Sequence, residues 1–147
     1  MPRGKTLEQR EKERPEDGYW IIPPEIYNPL NKEFKFKFDP CPNPKPKEFN
    51  GLLCDWKKSN WVNPPFWAGI TYWVRKAIEE QEKGKTSVLI LPLDNWVKLL
   101  FDAGAEVRVV GSHDWIHTKD KTRRKAPRPS FLFVLKPKLK GVPKGSQ

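Results

Sequence analysis

The chain has 147 residues, of which 37% are apolar and 31% charged, a composition typical of one soluble domain. Its formal net charge is +10, and no apolar run reaches the ~20 residues of a membrane-spanning helix, so we expect no membrane partner. Two cysteines imply no disulfide framework; together with the two histidines they could form a four-ligand zinc set, but no Cys-x-x-Cys pair is present and we expect no metal site. The first residues lack the apolar segment of a secretory signal, which favours a cytoplasmic location.

The first predicted elements are a helix, a strand, a loop and a second strand. Pro24 suits the first turn of a helix, which we expect to extend to about Phe34. From Phe34 to Phe38 aromatic and basic residues alternate, and this period of two predicts a half-buried strand. Four prolines in 40–46 predict a loop, and the apolar pair at 61–62 predicts the end of a buried strand.

Further along the chain, the apolar pattern changes to helical spacing. Apolar residues recur every three or four positions from Ile70 to Ile78, and Gly84 marks the end of this predicted helix. The segment 87–91 is almost wholly apolar, which predicts a strand that is covered on both faces. Asp94 suits the start of another helix, extending to about residue 103.

Two more strands are predicted at 106–110 and 130–135. The alternation of strands and helices favours an α/β domain over residues 19–135. We expect a three-layer, Rossmann-like fold with a mostly parallel central sheet and an antiparallel C-terminal hairpin. Residues 1–18 are predicted to be a charged, flexible arm, and residues 136–147 a basic tail.

The turn Asn63-Pro64-Pro65-Phe66 carries the strongest chemical signal in the sequence. The amino group of a nucleobase is a poor nucleophile because its lone pair is delocalised into the ring. The Asn63 side-chain oxygen and the Pro64 carbonyl can each accept one N–H of that group and so localise the lone pair. Pro65 stiffens the turn, and Phe66 offers a face for base stacking. The alternative is a structural proline-rich turn with Phe66 in the core.

Several motifs in a fixed order resemble one protein family. The turn is similar to the Asp/Asn-Pro-Pro-aromatic motif of amino-group methyltransferases that use S-adenosylmethionine. Residues 20–27 resemble the Trp-x-Thr-Pro-x-Glu-Leu-Tyr/Phe opening of the small Dam-like adenine-N6 methyltransferases common in phages. Residues 33–41 resemble that family's Glu-Phe-x-Phe-x-Leu-Asp-x-Cys/Ala segment, and Asp55-Trp56 precedes the turn as it does there. Three later segments follow in the family's order: 89–92, 105–108 and 126–132. The resemblance extends over roughly residues 19–135.

The resemblance implies S-adenosylmethionine as the cofactor and assigns residues to its binding. Asp39 matches a position that binds the methionine portion, and an Asp after a strand suits an ammonium group or ribose hydroxyls. The structural alternative is that Asp39 caps the next turn. The glycine-rich loop of larger methyltransferases is replaced here by Asn43-Pro44. The implied cofactor-binding residues are Trp20, Ile22, Pro23, Pro24, Asp39, Pro40, Cys41 and Asp55.

The excess positive charge lies near the C-terminus. Residues 119–147 contain ten basic side chains and one acidic one, whereas the rest of the chain is nearly neutral. Such a localised basic segment is typical of a protein with a phosphate-bearing partner. The alternative is a solvated segment that aids solubility. The predicted nucleic-acid contacts are Trp67, which offers a stacking surface, and Lys119, Lys121, Arg123, Arg124, Lys125 and Arg128.

Together, the residues and the resemblance predict an S-adenosylmethionine-dependent methyltransferase that modifies the N6 amino group of adenine in DNA. The family implies a phage or another mobile element as the source. The predicted catalytic residues of this protein are Asn63, Pro64, Pro65 and Phe66. An RNA adenine-N6 methyltransferase and a DNA cytosine-N4 methyltransferase are alternatives, because the same turn serves each amine. A catalytically silent nucleic-acid-binding module on the same fold is a third alternative.

Overall fold

The computed structural model describes residues 20–65 and 69–138. The predicted arm, most of the predicted tail, Phe66 and Trp67 lie outside these residues. The strands are β1 (Trp20–Ile21), β2 (Ser59–Val62), β3 (Thr86–Leu91), β4 (Glu106–Gly111), β5 (Asp114–His117), β6 (Arg123–Lys125) and β7 (Ser130–Leu135). The helices are α1 (Pro24–Phe34), α2 (Ile70–Glu82) and α3 (Val97–Asp102).

The first helix has the bounds that the sequence predicts. Pro24 stands in its first turn, where a residue without an N–H is tolerated. The helix ends after Phe34 because Lys35 adopts a left-handed conformation, with φ of 51°. Pro29 is accommodated inside the helix, and Leu30 is its buried residue.

The other two helices pack against the larger sheet. The predicted apolar face of α2 is confirmed, because Ile70, Trp73, Val74 and Ala77 are buried. Gly84 follows this helix with a φ of 90°, a conformation that suits glycine. The third helix begins later than predicted. The Asp94 carboxylate accepts the N–H of Asn95 at 2.8 Å, and the Asp94 carbonyl accepts the N–H of Val97 at 3.0 Å, so Asp94 forms a turn before the helix.

Four strands form the larger sheet, in the order β2-β3-β7-β4. The pair β2–β3 is parallel, with Trp61 opposite Val88, and β7 is antiparallel to both β3 and β4. A smaller antiparallel sheet has the order β1-β5-β6, with Trp20 opposite His117. Alternate residues of β3 pack on opposite faces, Leu89 towards α2 and Val88 towards the cluster that includes α1.

The prediction of a Rossmann-like fold with a mostly parallel sheet is wrong. Of the strand pairs formed within the described ranges, β2–β3 is parallel, and it is linked by the crossover helix α2. After β4 the chain forms the β5–β6 hairpin and returns as β7 between β3 and β4, antiparallel to each. An apolar run in the sequence indicates that a strand is buried on both faces, but it does not indicate the direction in which the strand runs. A mixed sheet covered on both faces therefore gives the same sequence pattern as a parallel one.

The predicted strand over residues 34–38 is also wrong, apart from one bridge. Phe34 completes α1, and Phe38 makes an isolated parallel bridge to Asn60. The alternating aromatic rings instead pack on one another: the centroids of Phe34 and Phe36 are 5.9 Å apart, and Phe36 lies 5.6 Å from Trp61. In the part of the chain that the structure covers, no helix has the length and apolar character needed to cross a membrane.

Candidate active site

The predicted catalytic turn lies at the carboxyl end of β2. Asn63 directly follows the strand and is half-buried, while Pro64 and Pro65 are buried. The side-chain nitrogen of Asn63 donates a hydrogen bond to the Trp20 carbonyl, 3.1 Å away. Because the amide group is planar, this bond also fixes the direction of the Asn63 oxygen. The small sheet thereby holds the residue that the sequence predicts to contact the substrate amine.

Asn63 opens on a cleft of about 290 Å³, which we call the Asn63 cleft. Its lining comes from β1, α1, the loop after Phe38 and the end of β2. The lining residues are Trp20, Ile21, Ile22, Pro24, Tyr27, Asn28, Asp39, Cys41, Asn43, Trp61 and Asn63. The structure therefore brings five of the predicted cofactor-binding residues together with the predicted catalytic asparagine. Sequence reasoning missed Tyr27 and Asn28, because α1 alone does not reveal which of its faces meets the loop.

Asp39 has two roles in this cleft. Its Oδ1 accepts the N–H of Cys41 at 2.9 Å, so Asp39 caps the turn that follows it, which is the structural role given above as the alternative to cofactor binding. It also lines the cleft and gives the wall a negative charge. Burial and the charge of Asp39 together raise the pKa of the nearby Tyr27 hydroxyl. The two interpretations of Asp39 are therefore compatible.

Two further predicted residues support the cleft without lining it. Pro23 is buried at the start of α1, where its carbonyl accepts the N–H groups of Ile26 and Tyr27. Pro40 is buried against Gly51. A Cβ added to Gly51 would lie 2.0 Å from the Pro40 carbonyl oxygen, so the loop closes by direct backbone contact.

The structure does not bring Asp55 to the Asn63 cleft. Its side chain is 82% exposed and lies 3.2 Å from the Lys83 ammonium, whose hydrogen bond lowers the pKa of Asp55. Lys83 follows α2, at the end of the sheet where β2 begins. Asn63 stands at the other end of β2. This placement does not support the predicted contact between Asp55 and the cofactor.

A second cleft of about 600 Å³ adjoins the first, and Trp20 lines both. We call it the tryptophan cleft. It lies beyond the carboxyl end of β3, between the start of α2 and the β6–β7 connection. Its lining residues are Trp20, Gly69, Ile70, Thr71, Pro92, Asn95, Trp96, Trp115, Arg124, Lys125, Pro127, Arg128 and Ser130. Sequence reasoning missed Trp96 and Trp115, because they come from distant segments without a shared motif.

The predicted basic residues do not act as one cluster. Arg124, Lys125 and Arg128 line the tryptophan cleft, and the Arg124 guanidinium lies 5.5 Å from the centroid of the Trp20 ring. Arg123 instead forms a two-pronged ion pair with Glu25 of α1, and its hydrogen bonds lower the pKa of that carboxylate. Arg123 and Arg124 are neighbours in β6 and face opposite sides, whereas Lys125, at the end of the strand, lines the tryptophan cleft and also a surface that includes Glu25.

Two of the remaining basic residues lie in the β5–β6 turn. Lys119 donates its backbone N–H to Nδ1 of His117, and Lys121 has a left-handed φ of 59°. Both side chains are exposed, and neither lines the two clefts.

Arg128 donates a hydrogen bond to the Leu93 carbonyl and lies 3.6 Å from the Asp94 carboxylate, so its position at the tryptophan cleft is fixed.

Both histidines support aromatic rings of the site. The ring of His117 meets Trp20 edge-on, with 4.9 Å between centroids, and His113 meets Trp115 in the same way at 4.7 Å. His113 Nδ1 donates to the Asp114 carbonyl at 2.8 Å, and its Nε2 lies 2.6 Å from the Ser130 hydroxyl. These contacts hold both histidine rings in place.

Comparison with known proteins identifies a family for this chain. A family model described as DNA N-6-adenine-methyltransferase (Dam) matches residues 9–145, which include all the described residues of both clefts. No curated protein and no solved structure was found to match. The family predicted from the ordered motifs is thereby confirmed. The chain belongs to the Dam family of DNA N-6-adenine methyltransferases.

Proposed function

We propose that this protein transfers a methyl group from S-adenosylmethionine to the N6 amino group of adenine in DNA. The observation that carries the proposal is the position of Asn63, which lines one cleft and is tied to Trp20, a residue common to both. A group at this junction can meet a cofactor on one side and a nucleobase on the other. Membership of the Dam family supports the same activity.

The chemistry of the Asn63 cleft fits the cofactor. S-adenosylmethionine, when bound, supplies an electrophilic methyl group on a positively charged sulfur. The Asp39 carboxylate suits its ammonium group, and the aromatic rings of Tyr27 and Trp61 suit a cation or an adenine ring. The amides of Asn28 and Asn43 add hydrogen-bonding groups for hydroxyls or ring nitrogens. Asn43 lies in the segment that replaces the glycine-rich loop of larger methyltransferases.

The turn then prepares the amine for reaction. The Asn63 oxygen accepts one N–H of the adenine amino group, and the Pro64 carbonyl accepts the other, so the nitrogen lone pair is localised and directed. The bond from Asn63 to the Trp20 carbonyl orients the Asn63 amide before substrate binds. As the nitrogen forms its bond to the methyl group, the bond from that methyl to the cofactor's sulfur would break and leave a neutral thioether, and the amine would release one proton to water. Phe66 and Trp67, outside the described residues, remain predicted stacking partners.

DNA is proposed to bind on the side of the tryptophan cleft. Arg124, Lys125 and Arg128 place positive charge beside the aromatic rings of the cleft. Such cations neutralise phosphates and supply the sequence-independent part of the affinity. Lys119 and Lys121, in the exposed turn between β5 and β6, are proposed as additional, weaker phosphate contacts.

The proposal is tested by two measurements on the purified protein. Calorimetric titration with S-adenosylmethionine should show binding, and the lack of any binding would favour the silent nucleic-acid-binding module. Incubation with labelled S-adenosylmethionine and DNA, followed by digestion to nucleosides and mass spectrometry, should give N6-methyladenine. An oligonucleotide without adenine serves as the control and should stay unlabelled. N4-methylcytosine as the product would refute adenine as the target.

A further inference from the structure

We propose that the tryptophan cleft is a binding site for single-stranded DNA and binds it in preference to duplex DNA. Bases would stack on its partly exposed indole rings, Trp20 and Trp96, while the neighbouring cations contact the backbone. The inference rests on the proposed function for the choice of DNA as the partner. It adds the strand state of that DNA, which neither the family nor the catalytic turn specifies.

The first observation is a pair of partly exposed indole rings, Trp20 and Trp96, next to a third, Trp115, that is buried beneath the cleft; each ring is held by a neighbouring group. The Trp96 Nε1–H donates to the Pro92 carbonyl at 2.9 Å. Trp20 and Trp115 each have a histidine ring packed edge-on against them, at 4.9 and 4.7 Å. Rings held in this way lose little freedom when a base stacks on them. Stacking tolerates any sequence, because every base has an aromatic face.

The second observation is the positive charge beside these rings. Arg124, Lys125 and Arg128 are exposed, line the cleft and follow one another along β6 and the turn after it. Asp94 and Asp120 each lie 3.6 Å from one of the arginines, which fixes the guanidinium groups and leaves the set with net positive charge. Stacking platforms next to a basic track are the combination that non-specific single-strand binders use.

The third observation is the size of the cleft and the short elements at its rim. Its volume is about 600 Å³, roughly twice that of the Asn63 cleft. The rim elements β5 and β6 have four and three residues, which is short for a ribbon that reads the major groove of a duplex. A base in a duplex must also leave its stack and its partner to reach a cleft, whereas a base in a single strand need not.

The test compares the binding of one labelled oligodeoxynucleotide, alone and annealed to its complement, by fluorescence anisotropy without cofactor. The single strand should bind about tenfold more tightly than the duplex, because the duplex must first unpair and unstack. Equal or tighter binding of the duplex would overturn the inference.

Two variants with matched controls locate the site. Trp96→Ala and Arg124→Gln should each weaken single-strand binding, by about tenfold for the lost stacking platform. Phe101→Ala removes an exposed aromatic ring of α3, and Arg75→Gln removes an exposed cation of α2, and neither residue lines the cleft. Both controls should bind normally. Equal weakening by the controls and the cleft variants would refute the assignment to this cleft.

One further variant separates lost stacking from lost folding, because Trp96 also packs against the core. Trp96→Phe retains an aromatic face and should keep most of the affinity that Trp96→Ala loses, at a comparable melting temperature. Single-strand binding without methyl transfer to any DNA would support this inference and refute the proposed function. Methyl transfer to duplex DNA, with the duplex bound at least as tightly as the single strand, would overturn this inference and support the proposed function.

Discussion

Substitution of Asp39 separates its charge from its structural role. In Asp39→Asn, the side-chain oxygen can still accept the N–H of Cys41, so the turn observed at 2.9 Å should persist. The negative charge in the Asn63 cleft is lost. A hydrogen bond to a charged group contributes about 1.5–3 kcal/mol, so affinity for S-adenosylmethionine should fall roughly ten- to hundredfold. The free energy of unfolding should change by less than about 0.5 kcal/mol.

Asp39→Ala removes both roles and serves as the comparison. Its affinity for the cofactor should fall at least as far, and its free energy of unfolding should drop by about a further 1 kcal/mol because the turn loses its acceptor. Calorimetric titration gives the affinity, and urea denaturation without cofactor gives the stability. Unchanged cofactor affinity in both variants would refute a cofactor contact and leave Asp39 with the turn alone.

Three other predictions follow from individual contacts. Arg124→Gln should lower the slope of log affinity against log salt for DNA by about 0.7–0.9. Arg123→Gln should lower this slope far less, because the Arg123 guanidinium is already paired with Glu25. Equal changes of slope in the two variants would contradict the assignment of Arg124, and not Arg123, to the DNA-binding side. Burial would raise the pKa of the Glu80 carboxyl, but the Trp56 N–H at 2.5 Å and the Lys83 ammonium at 3.2 Å outweigh it and hold the pKa below the ordinary 4.5. The stabilisation that Glu80 provides is fully present above the pKa of this carboxyl in the unfolded chain, and it is lost as the pH falls through the lower pKa of the folded protein. Glu80→Gln should therefore flatten the decline of the unfolding free energy in acid, and an unaltered decline would argue against this role of Glu80. Gly51→Ala should cost about 1–3 kcal/mol in denaturant unfolding and weaken cofactor binding, since its Cβ meets the Pro40 carbonyl; a wild-type midpoint would show that the loop can relax.

The sequence predicts the local elements of this protein better than their arrangement. The bounds of α1 and β7 agree with the positions of Pro24 and of the apolar run at 130–135, because local conformation and burial determine both. The direction of β7 has no such local signal. It depends on where the chain returns after the β5–β6 hairpin, and a buried strand has the same composition whichever way it runs.

The candidate site shows the same distinction. Asp39, Asp55 and Asn63 each follow a strand-like segment in the sequence, so all three could face one crevice. The structure brings Asp39 and Asn63 to the Asn63 cleft but leaves Asp55 beside Lys83. The contact that aligns the two segments is the parallel bridge from Phe38 to Asn60. The tryptophan cleft was not predicted. Trp20, Trp96 and Trp115 come from separate elements, and their convergence requires the tertiary fold.

The division of the basic segment was not predicted either. Consecutive arginines appear in the sequence as a single run of charge, but Arg123 pairs with α1 and Arg124 packs over Trp20. The alternation of β6 was not evident from three polar residues, since a strand without apolar positions gives no periodic signal.

The most direct test of the proposed chemistry is the rate of N6-methyladenine formation by Asn63→Ala relative to wild type, at saturating cofactor and DNA. The substitution removes the oxygen that accepts the amine N–H but leaves the Asp39 wall of the cleft unchanged. We predict that the rate falls more than tenfold, equivalent to at least about 1.4 kcal/mol of barrier, while the affinity for S-adenosylmethionine stays within about twofold. A variant that keeps more than about a tenth of the wild-type rate would contradict the assigned role of Asn63.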